Sequence, residues 1–548
     1  MLDWQVKKLT DSTFMPPLLP SSNAYSYPLL IKHLLTRSNI SSACQEIVSG
    51  TDIRLGYADL GKRVHQLANS LKASGIREGM RVGVMDWDTH RYLECFFAVP
   101  MMGAILFTIN VRLSPKQVLY TINHGKPDLI IVHKDFIPLI DEIKSDFDRD
   151  IIIVPIGDGA GYEKWISEAA INFDFPEFDE NQTATLFYTT GTTCTPKGVS
   201  YSHRQLVLHT LGLIASFGAW PGNAGLHRGD VYMPLTPLFH VHGWGFPYAA
   251  TMLGLRQVYP GRYTPETILQ LIADENVTFS HCVPTVLSMV LDHPNCPQTD
   301  LSQWKVIIGG AALPRSLQDR AAKAGISLHA AYGMSETCPF LTVADLSSDD
   351  SEEQAQTGFP GLLVDLRVVT PDMKDVPHDG QTTGEVVARA PWLTQGYLDN
   401  SQASDELWDG GYLHTGDVGY IRENGSLQIT DRLKDVIKTG GEWISSLALE
   451  NIALSCNGIE DVAAIGLPHA KWGERPVLVA QAAKDASPDL VRLSVMAEIQ
   501  SRVDAGELSK WAVPDDIFFV TRLPKTSVGK LDKKFVRQDI SNRVGLKS

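Results

Sequence analysis

The chain has 548 residues, 44% hydrophobic and 20% charged, the balance of an ordinary soluble globular protein with room for about three to five domains. With 48 Lys and Arg against 63 Asp and Glu the net charge is −15. That balance argues against a basic nucleic-acid binder or a ligand of anionic membranes, while leaving small anionic ligands open. Seven scattered cysteines without a CxxC pair likewise argue against a zinc ribbon or a secreted disulfide framework.

In chain order, Met1 to Lys8 is followed by no signal-peptide core. Tyr57 to Ser74 carries Leu60, Val64, Leu67 and Leu71 at helical spacing, and Met80 to Met85 reads as a strand. Cys95 to Ile109 is the longest uncharged apolar run. It is broken by Pro100 and Gly103 and is shorter than the about 20 residues that span a bilayer, so it reads as a buried helix and strand. A weak helix, Gln117 to Asn123, precedes the apolar strands Asp128 to Val132 and Asp150 to Val154. The same units recur as strand Val277 to Val283, helix Pro284 to Leu291 and strand Lys305 to Ile308. Short β-branched runs separated by helices predict parallel, doubly wound sheets covered on both faces.

Ser347 to Glu353 reads as a solvated loop. Beyond residue 360 the pattern changes to short strands at Val364 to Thr370, Gly384 to Arg389 and Gly425 to Thr430, the last entered through the hairpin signal Asn424-Gly425. This predicts an antiparallel β-rich section. The remainder mixes helices and strands, and the polar stretch Asp431 to Asp435 fits a hinge better than a core. The expected organisation is an extension over 1–27, a large α/β domain over 28–432 with its β-rich subdomain, and a small mobile α+β domain over 433–548. The carboxyl end, Leu546-Lys547-Ser548, is not the peroxisomal Ser-Lys-Leu signal, and a cytoplasmic protein with no integral membrane segment is expected.

The most informative stretch for chemistry is Thr185 to Gly198, where Thr189, Thr190, Gly191, Thr192, Thr193, Thr195, Lys197 and Gly198 follow an apolar strand. Small hydroxyl side chains and exposed backbone N–H groups can wrap a phosphate, with a lysine adding charge. The order Lys197-Gly198-Val199 is not that of a Walker loop. His240-Val241-His242 lacks a third ligand for zinc, and Gly333-Met334-Ser335 lacks the closing glycine of a nucleophile elbow.

Four further segments follow: Tyr332 to Thr337, Tyr412 to Asp417, Asp431 to Lys438 and Pro524 to Lys530. The ordered set resembles the adenylate-forming (AMP-binding) superfamily of acyl-CoA synthetases, nonribosomal adenylation domains and luciferases, from about residue 28 to 540. The resemblance implies that fold and a two-step reaction. A carboxylate attacks the α-phosphorus of MgATP to give an acyl-adenylate and pyrophosphate, and the thiol of coenzyme A then displaces AMP. It implies ATP, Mg2+ and coenzyme A as cofactors, a small-molecule carboxylic acid as substrate and no nucleic acid partner; a homodimer is left open.

By the same resemblance, Thr189 to Lys197 would hold the β- and γ-phosphates, and Glu336 with Thr189 the magnesium ion. Gly310, Ala311, Ala312 and Tyr332 would line the adenine side, and Gly333 and Thr337 would be further cofactor-binding positions. Asp417 would accept the ribose hydroxyls, and Arg432 would donate to ribose or phosphate. Lys530 would stabilise charge between carboxylate and α-phosphate. Lys434 takes the hinge position, and Lys438, Gly440 and Gly441 lie along the path of the pantetheine arm. His240 and Trp244 would border the acid's carboxylate and early chain. The run Gly440-Gly441-Glu442-Trp443-Ile444-Ser445 resembles that of fatty acyl-CoA synthetases, where Trp443 would gate the acyl tunnel. The whole chain looks most like the medium-chain branch, which includes methylthiopropionate-CoA ligases. Cys194 departs from the family's glycine and would restrict the phosphate loop. Transfer to a carrier protein instead of free coenzyme A, or a non-catalytic acyl- or nucleotide-binding role, are the alternative readings.

Overall fold

Two mostly parallel sheets form from the short β-branched runs. The computed structural model describes residues 21–157, 161–189, 195–219, 225–346, 357–440, 442–484, 486–525 and 531–545. One sheet has six strands, in spatial order Ile152–Ile156, Leu129–His133, Arg81–Met85, Ile105–Thr108, Thr183–Tyr188 and Gly198–Ser202. All its pairs are parallel except the last. The second has nine strands, with a parallel centre formed by Glu46–Ser49, Arg256–Tyr259, Val231–Pro234, Phe279–Cys282, Lys305–Gly309 and Ser327–Gly333.

The antiparallel edges were not evident in the hydrophobic pattern. Gly198–Ser202 turns back on Thr183–Tyr188, and Phe340–Asp345 turns back on Ser327–Gly333. In both places the strand returns through a polar segment that carries candidate site residues. Helices Tyr57–Ala73 and His90–Met101 pack on each other, and Tyr57, Tyr92, Phe96 and Phe97 are buried in one core with Val82 and Leu106 of the first sheet and Tyr232 and Phe279 of the second. The apolar run through Cys95 is therefore a buried helix followed by a buried strand. Among the described residues no helix is long and apolar enough to cross a membrane.

The β-rich section is a four-stranded antiparallel sheet of Asp365–Val369, Gly384–Arg389, Leu413–Ile421 and Leu427–Arg432. A five-stranded sheet follows, built from Ile437–Thr439, Glu442–Ile444, Ile459–His469, Gly473–Ala482 and Asp516–Phe519. Its helices Ser446–Ser455, Pro488–Asp504 and Lys533–Arg543 give it its own apolar core. The molecule is thus α/β with a β-rich section and a small α+β body after it. The predicted loop at Ser347 to Glu353 lies outside the described residues.

In both large sheets the candidate residues leave the carboxyl ends of strands, where open α/β sheets place ligands. Thr189 follows Thr183–Tyr188, Gly310 follows Lys305–Gly309, and Tyr332 and Gly333 end Ser327–Gly333.

The polar stretch at Asp431 contributes more than a solvated turn. Asp431 is buried, and its carboxylate accepts the Ser446 N–H and Ser446 Oγ–H at the start of the helix Ser446–Ser455. Ser445 Oγ donates to the Thr430 carbonyl at 2.6 Å, and Lys533 Nζ reaches Ser446 Oγ at 2.6 Å and Glu450 Oε1 at 2.7 Å. A carboxylate at a helix N-terminus satisfies open N–H groups and favours the helix dipole. We expect Asp431→Ala to raise the rate of proteolytic nicking near residues 433–436 about tenfold, for a local loss of about 1–2 kcal/mol. Limited proteolysis followed by mass spectrometry checks this, and an unchanged rate would show that the seam does not depend on Asp431.

Candidate active site

Asp417 joins two strands and one phenol. It is buried in the strand Leu413–Ile421, in register with Arg432 of Leu427–Arg432. Its Oδ1 lies 3.1 Å from Arg432 Nε, and its Oδ2 accepts the Tyr332 hydroxyl at 2.7 Å. Tyr332 comes from the nine-stranded sheet, so sequence positions 85 apart meet at one carboxylate. Gly333 follows at a register shift against the next strand, and a Cβ there would fall 1.3 Å from the Pro339 carbonyl oxygen. No other residue fits. Thr337 Oγ1 accepts the Met334 N–H at 2.9 Å and lies 2.6 Å from the Pro339 carbonyl, closing the turn that carries Glu336.

Glu336 sits in that turn with 7% exposure. Burial pushes its carboxyl above the usual range, opposed by the Tyr397 hydroxyl and by the charges of Lys197 and Arg432. Tyr397 donates to Glu336 Oε1 at 2.8 Å, and Lys197 Nζ stands 4.4 Å from the centre of the Tyr397 ring. The segment bearing Tyr397 is pinned to the antiparallel strand Gly198–Ser202, where Leu398 N–H donates to the Gly198 carbonyl at 2.9 Å. Thr189 N–H donates to the Lys197 carbonyl at 2.9 Å, so the two ends of the threonine-rich loop are tied together. Thr190, Gly191, Thr192, Thr193 and Cys194, within that loop, lie outside the described residues, as do Gly441 and Lys530. Sequence reasoning missed Tyr397. The only local signal near it is Gly396, which marks a turn without pointing to the role of the phenol that follows.

A second group surrounds the segment Pro237 to Gly245. His240 is half-buried, and its N–H donates to the Pro237 carbonyl at 2.9 Å. Val241, His242, Gly243, Trp244 and Gly245 then all have φ between 47° and 77°. A left-handed turn of this kind costs L-residues about 1–2 kcal/mol each, and a β-branched valine is an extreme case. Packing holds it: Val241, His242 and Trp244 are buried, and His242 Nε2 lies 2.9 Å from Thr185 Oγ1. The Trp244 ring lies across the end of Lys305–Gly309, where a Cβ at Gly309 would come within 3.0 Å of it. Gly310, Ala311 and Ala312 follow, exposed. Burial lowers the His242 and His281 imidazoles to about 3, so both are neutral beside Trp244.

A third group lies on the five-stranded sheet. Lys438 Nζ is 5.5 Å from the ring centre of Trp443, which is 46% exposed. Gly440 has φ +60°, and a Cβ there would fall 2.7 Å from the Trp511 ring. Lys434 is exposed, with its ammonium lowered by desolvation and by Arg432, and with Asp435, Asp417 and Asp532 pulling the other way. The structure therefore gathers Lys197, Glu336, Tyr332, Asp417, Arg432 and Lys434 around one place. His240 with Trp244, and Lys438 with Gly440 and Trp443, form separate groups.

Comparison with known proteins agrees with this geometry. The family model described as AMP-binding enzyme matches residues 40–398, and the AMP-binding enzyme C-terminal domain matches 448–530. A long-chain-fatty-acid–CoA ligase of Thermus thermophilus is 36% identical over 91% of this chain and 94% of its own. A 3-methylmercaptopropionyl-CoA ligase of Ruegeria lacuscaerulensis is 36% identical over 94% of this chain and 98% of its own. The fold matches a crystal structure of the anthranilate CoA ligase AuaEII with anthranoyl-AMP, at TM-score 0.85 and 24% identity, over 95% of this chain and 99% of that one. The chain belongs to the AMP-binding enzyme family. Within it, the chain is an acyl-CoA synthetase of the adenylate-forming superfamily, an AMP-forming acid–thiol ligase.

The Tyr397–Glu336 bond gives a pH test. The phenol stabilises the ionised carboxylate, so Tyr397→Phe removes a force that lowers the Glu336 pKa. If ionised Glu336 is required, the acidic limb of ATP–pyrophosphate exchange moves to higher pH in Tyr397→Phe. An unmoved limb would separate Glu336 from the reaction.

Proposed function

We propose that the protein activates a medium-chain or similar aliphatic carboxylic acid to its acyl-adenylate and passes the acyl group to coenzyme A. The observation that carries the nucleotide half is the convergence of Lys197, Glu336, Tyr332, Asp417 and Arg432 at the carboxyl ends of parallel strands. Two relatives named for a long-chain fatty acid and for 3-methylmercaptopropionate support an aliphatic acid, and their different lengths bracket a medium chain.

In this reading the triphosphate lies along the threonine-rich loop from Thr189 to Lys197, with the ammonium on its far phosphates. The adenine enters beside Gly310, Ala311, Ala312 and the Tyr332 ring. Asp417 takes the ribose hydroxyls, with Arg432 donating beside it. Glu336 and the Thr189 hydroxyl fit a magnesium ion, since a buried carboxylate raised by desolvation gains most from a hard dication and both offer oxygen. When bound, the ion would neutralise phosphate charge.

One oxygen of the acid's carboxylate attacks the α-phosphorus, the bond to the bridging oxygen breaks, and pyrophosphate leaves. His240 and Trp244 border the acid, and the buried left-handed turn fixes their backbone. Negative charge on carboxylate and α-phosphate is met by Lys530. In the second half the thiolate of coenzyme A attacks the acyl carbonyl and AMP leaves with the C–O bonding pair. Gly440 and Gly441, without side chains, leave room for the pantetheine arm, Lys438 lies alongside, and the half-exposed Trp443 gates the acyl side. Lys434 is the hinge about which the last body, from residue 433, turns between halves.

ATP–pyrophosphate exchange across acids of increasing chain length tests the reading, with a maximum at medium chain length expected. Exchange with no aliphatic acid would sink it. Lys530→Ala should lose adenylate formation by about a hundredfold or more while thioester formation from supplied adenylate stays largely intact. Unchanged pyrophosphate release in that variant would remove Lys530 from the mechanism. Trp244→Ala opens space in front of Gly309 and should move the preferred acid to longer chains without altering KM for ATP.

A further inference from the structure

Asp88 stands on the turn after the strand Arg81–Met85, buried at the carboxyl end of the six-stranded sheet. Its main chain is held from the other sheet, the Gly261 N–H donating to its carbonyl at 2.8 Å. Its side chain reaches the segment before the left-handed turn, where Oδ1 accepts the Leu238 N–H at 2.8 Å. One residue on, the Phe239 carbonyl accepts the Thr108 hydroxyl at 2.9 Å, from the end of the neighbouring strand Ile105–Thr108. His240 comes next. The segment that carries it thus hangs from the ends of two strands of the opposite sheet, by one carboxylate and one hydroxyl.

The surroundings of Asp88 are unusual for a structural anchor. Burial pushes its carboxyl up to about 7; the Leu238 N–H and the Arg112 guanidinium oppose this, and Asp86 adds to it. The phenols of Tyr92, Tyr232, Tyr259 and Tyr263 face it from the elements packed around it. Arg112 in turn lies 6.0 Å from the centre of the Phe239 ring. A neutral acceptor would bond Leu238 without the desolvation cost of an acid.

We propose that Asp88 is the positioning residue of the acid-binding segment, its side-chain acceptor fixing Leu238 and, through it, the place where His240 meets the substrate carboxylate. This rests on the reading of His240 as the acid-side residue. The charged form makes the stronger bond to an N–H. Acid recognition therefore strengthens as pH rises through the ionisation of Asp88, while ATP recognition does not change.

The test compares the wild-type protein with Asp88→Ala, Asp88→Asn and Thr108→Val. Steady-state rates are measured with acid and ATP varied separately across about pH 5.5–8.5, and hydrogen exchange is followed in peptides covering residues 235–245. Asp88→Ala should raise KM for the acid about tenfold and leave KM for ATP within about twofold, the effect of one lost charge-assisted bond. Asp88→Asn keeps an acceptor and should recover most of that loss. The wild-type profile of kcat/KM for the acid should inflect near 7, and Asp88→Asn should lose that inflection. Exchange over 235–245 should quicken in Asp88→Ala and, less, in Thr108→Val, which removes the second anchor by a near-isosteric change. Equal changes in both KM values, or unaltered exchange in Asp88→Ala, would overturn the proposal. If the wild-type protein activated no acid, the reading of the site would fall, and the exchange data would still decide whether Asp88 holds the segment.

Discussion

The Asp417 carboxylate, shared between Tyr332 and Arg432, is the interaction on which the architecture around the site turns. At 3% exposure its oxygens need both partners, because a buried polar group left without hydrogen bonds costs several kcal/mol. Satisfying it fixes the end of the nine-stranded sheet, through Tyr332, against the last strand of the four-stranded sheet, through Arg432. The consequences run outward along both chains. Beyond Tyr332 the backbone must pass within contact of Pro339, which only Gly333 permits, and the turn then presents Glu336. Next to Arg432, Asp431 caps the helix that opens the last body. Two buried carboxylates, Asp417 and Asp431, thereby link elements of three sheets.

Much of this was legible in the chain, for definite physical reasons. The continuous apolar runs Leu129 to Val132 and Lys305 to Ile308 announce buried parallel strands because both faces are covered, and they are such strands. The helix at Tyr57 is legible because its apolar residues recur at 3.6-residue spacing. Asp417, Arg432 and Glu336 were picked out by motif order, and the fold brings them into one place. Two kinds of feature escaped. Tyr397 reaches Glu336 only because Leu398 is bonded to Gly198, a tertiary pairing with no local pattern. The left-handed turn at 241–245 escaped because the rule that confines positive φ to glycine is overridden by burial of Val241 and Trp244.

Charge explains how a chain of net charge −15 can serve anionic ligands. Lys197, Arg432 and Lys434 are concentrated at the strand ends, while many acids elsewhere face solvent or basic partners. The buried acids are the costly ones. Asp88 titrates near 7, well above its ordinary value. Between about pH 4 and 7 the folded chain therefore keeps a proton that the unfolded chain releases, and the folding stability contributed by this group falls as pH rises. Glu336 is shifted in the same direction by the same cause, so it too weakens the fold as it ionises.

The cost at Asp88 coincides in space with the backbone strain. Beside residues 238–245 the chain buries the Asp88 carboxyl and winds three non-glycine residues into the left-handed region. Local preference would remove each of them, by a neutral side chain or an extended backbone, so their joint presence marks a place shaped by something other than stability. The compensations are specific and come from outside the strained segment. Asp88 and Thr108 bond the two residues before His240, and Thr185 meets His242. Thr108 and Thr185 sit on neighbouring strands of the six-stranded sheet, and Asp88 follows the next strand over. The interior strands of one sheet thus hold a strained loop of the other, and the energy stored in that loop is carried by polar groups that the six-stranded sheet presents on or just after three adjacent strands.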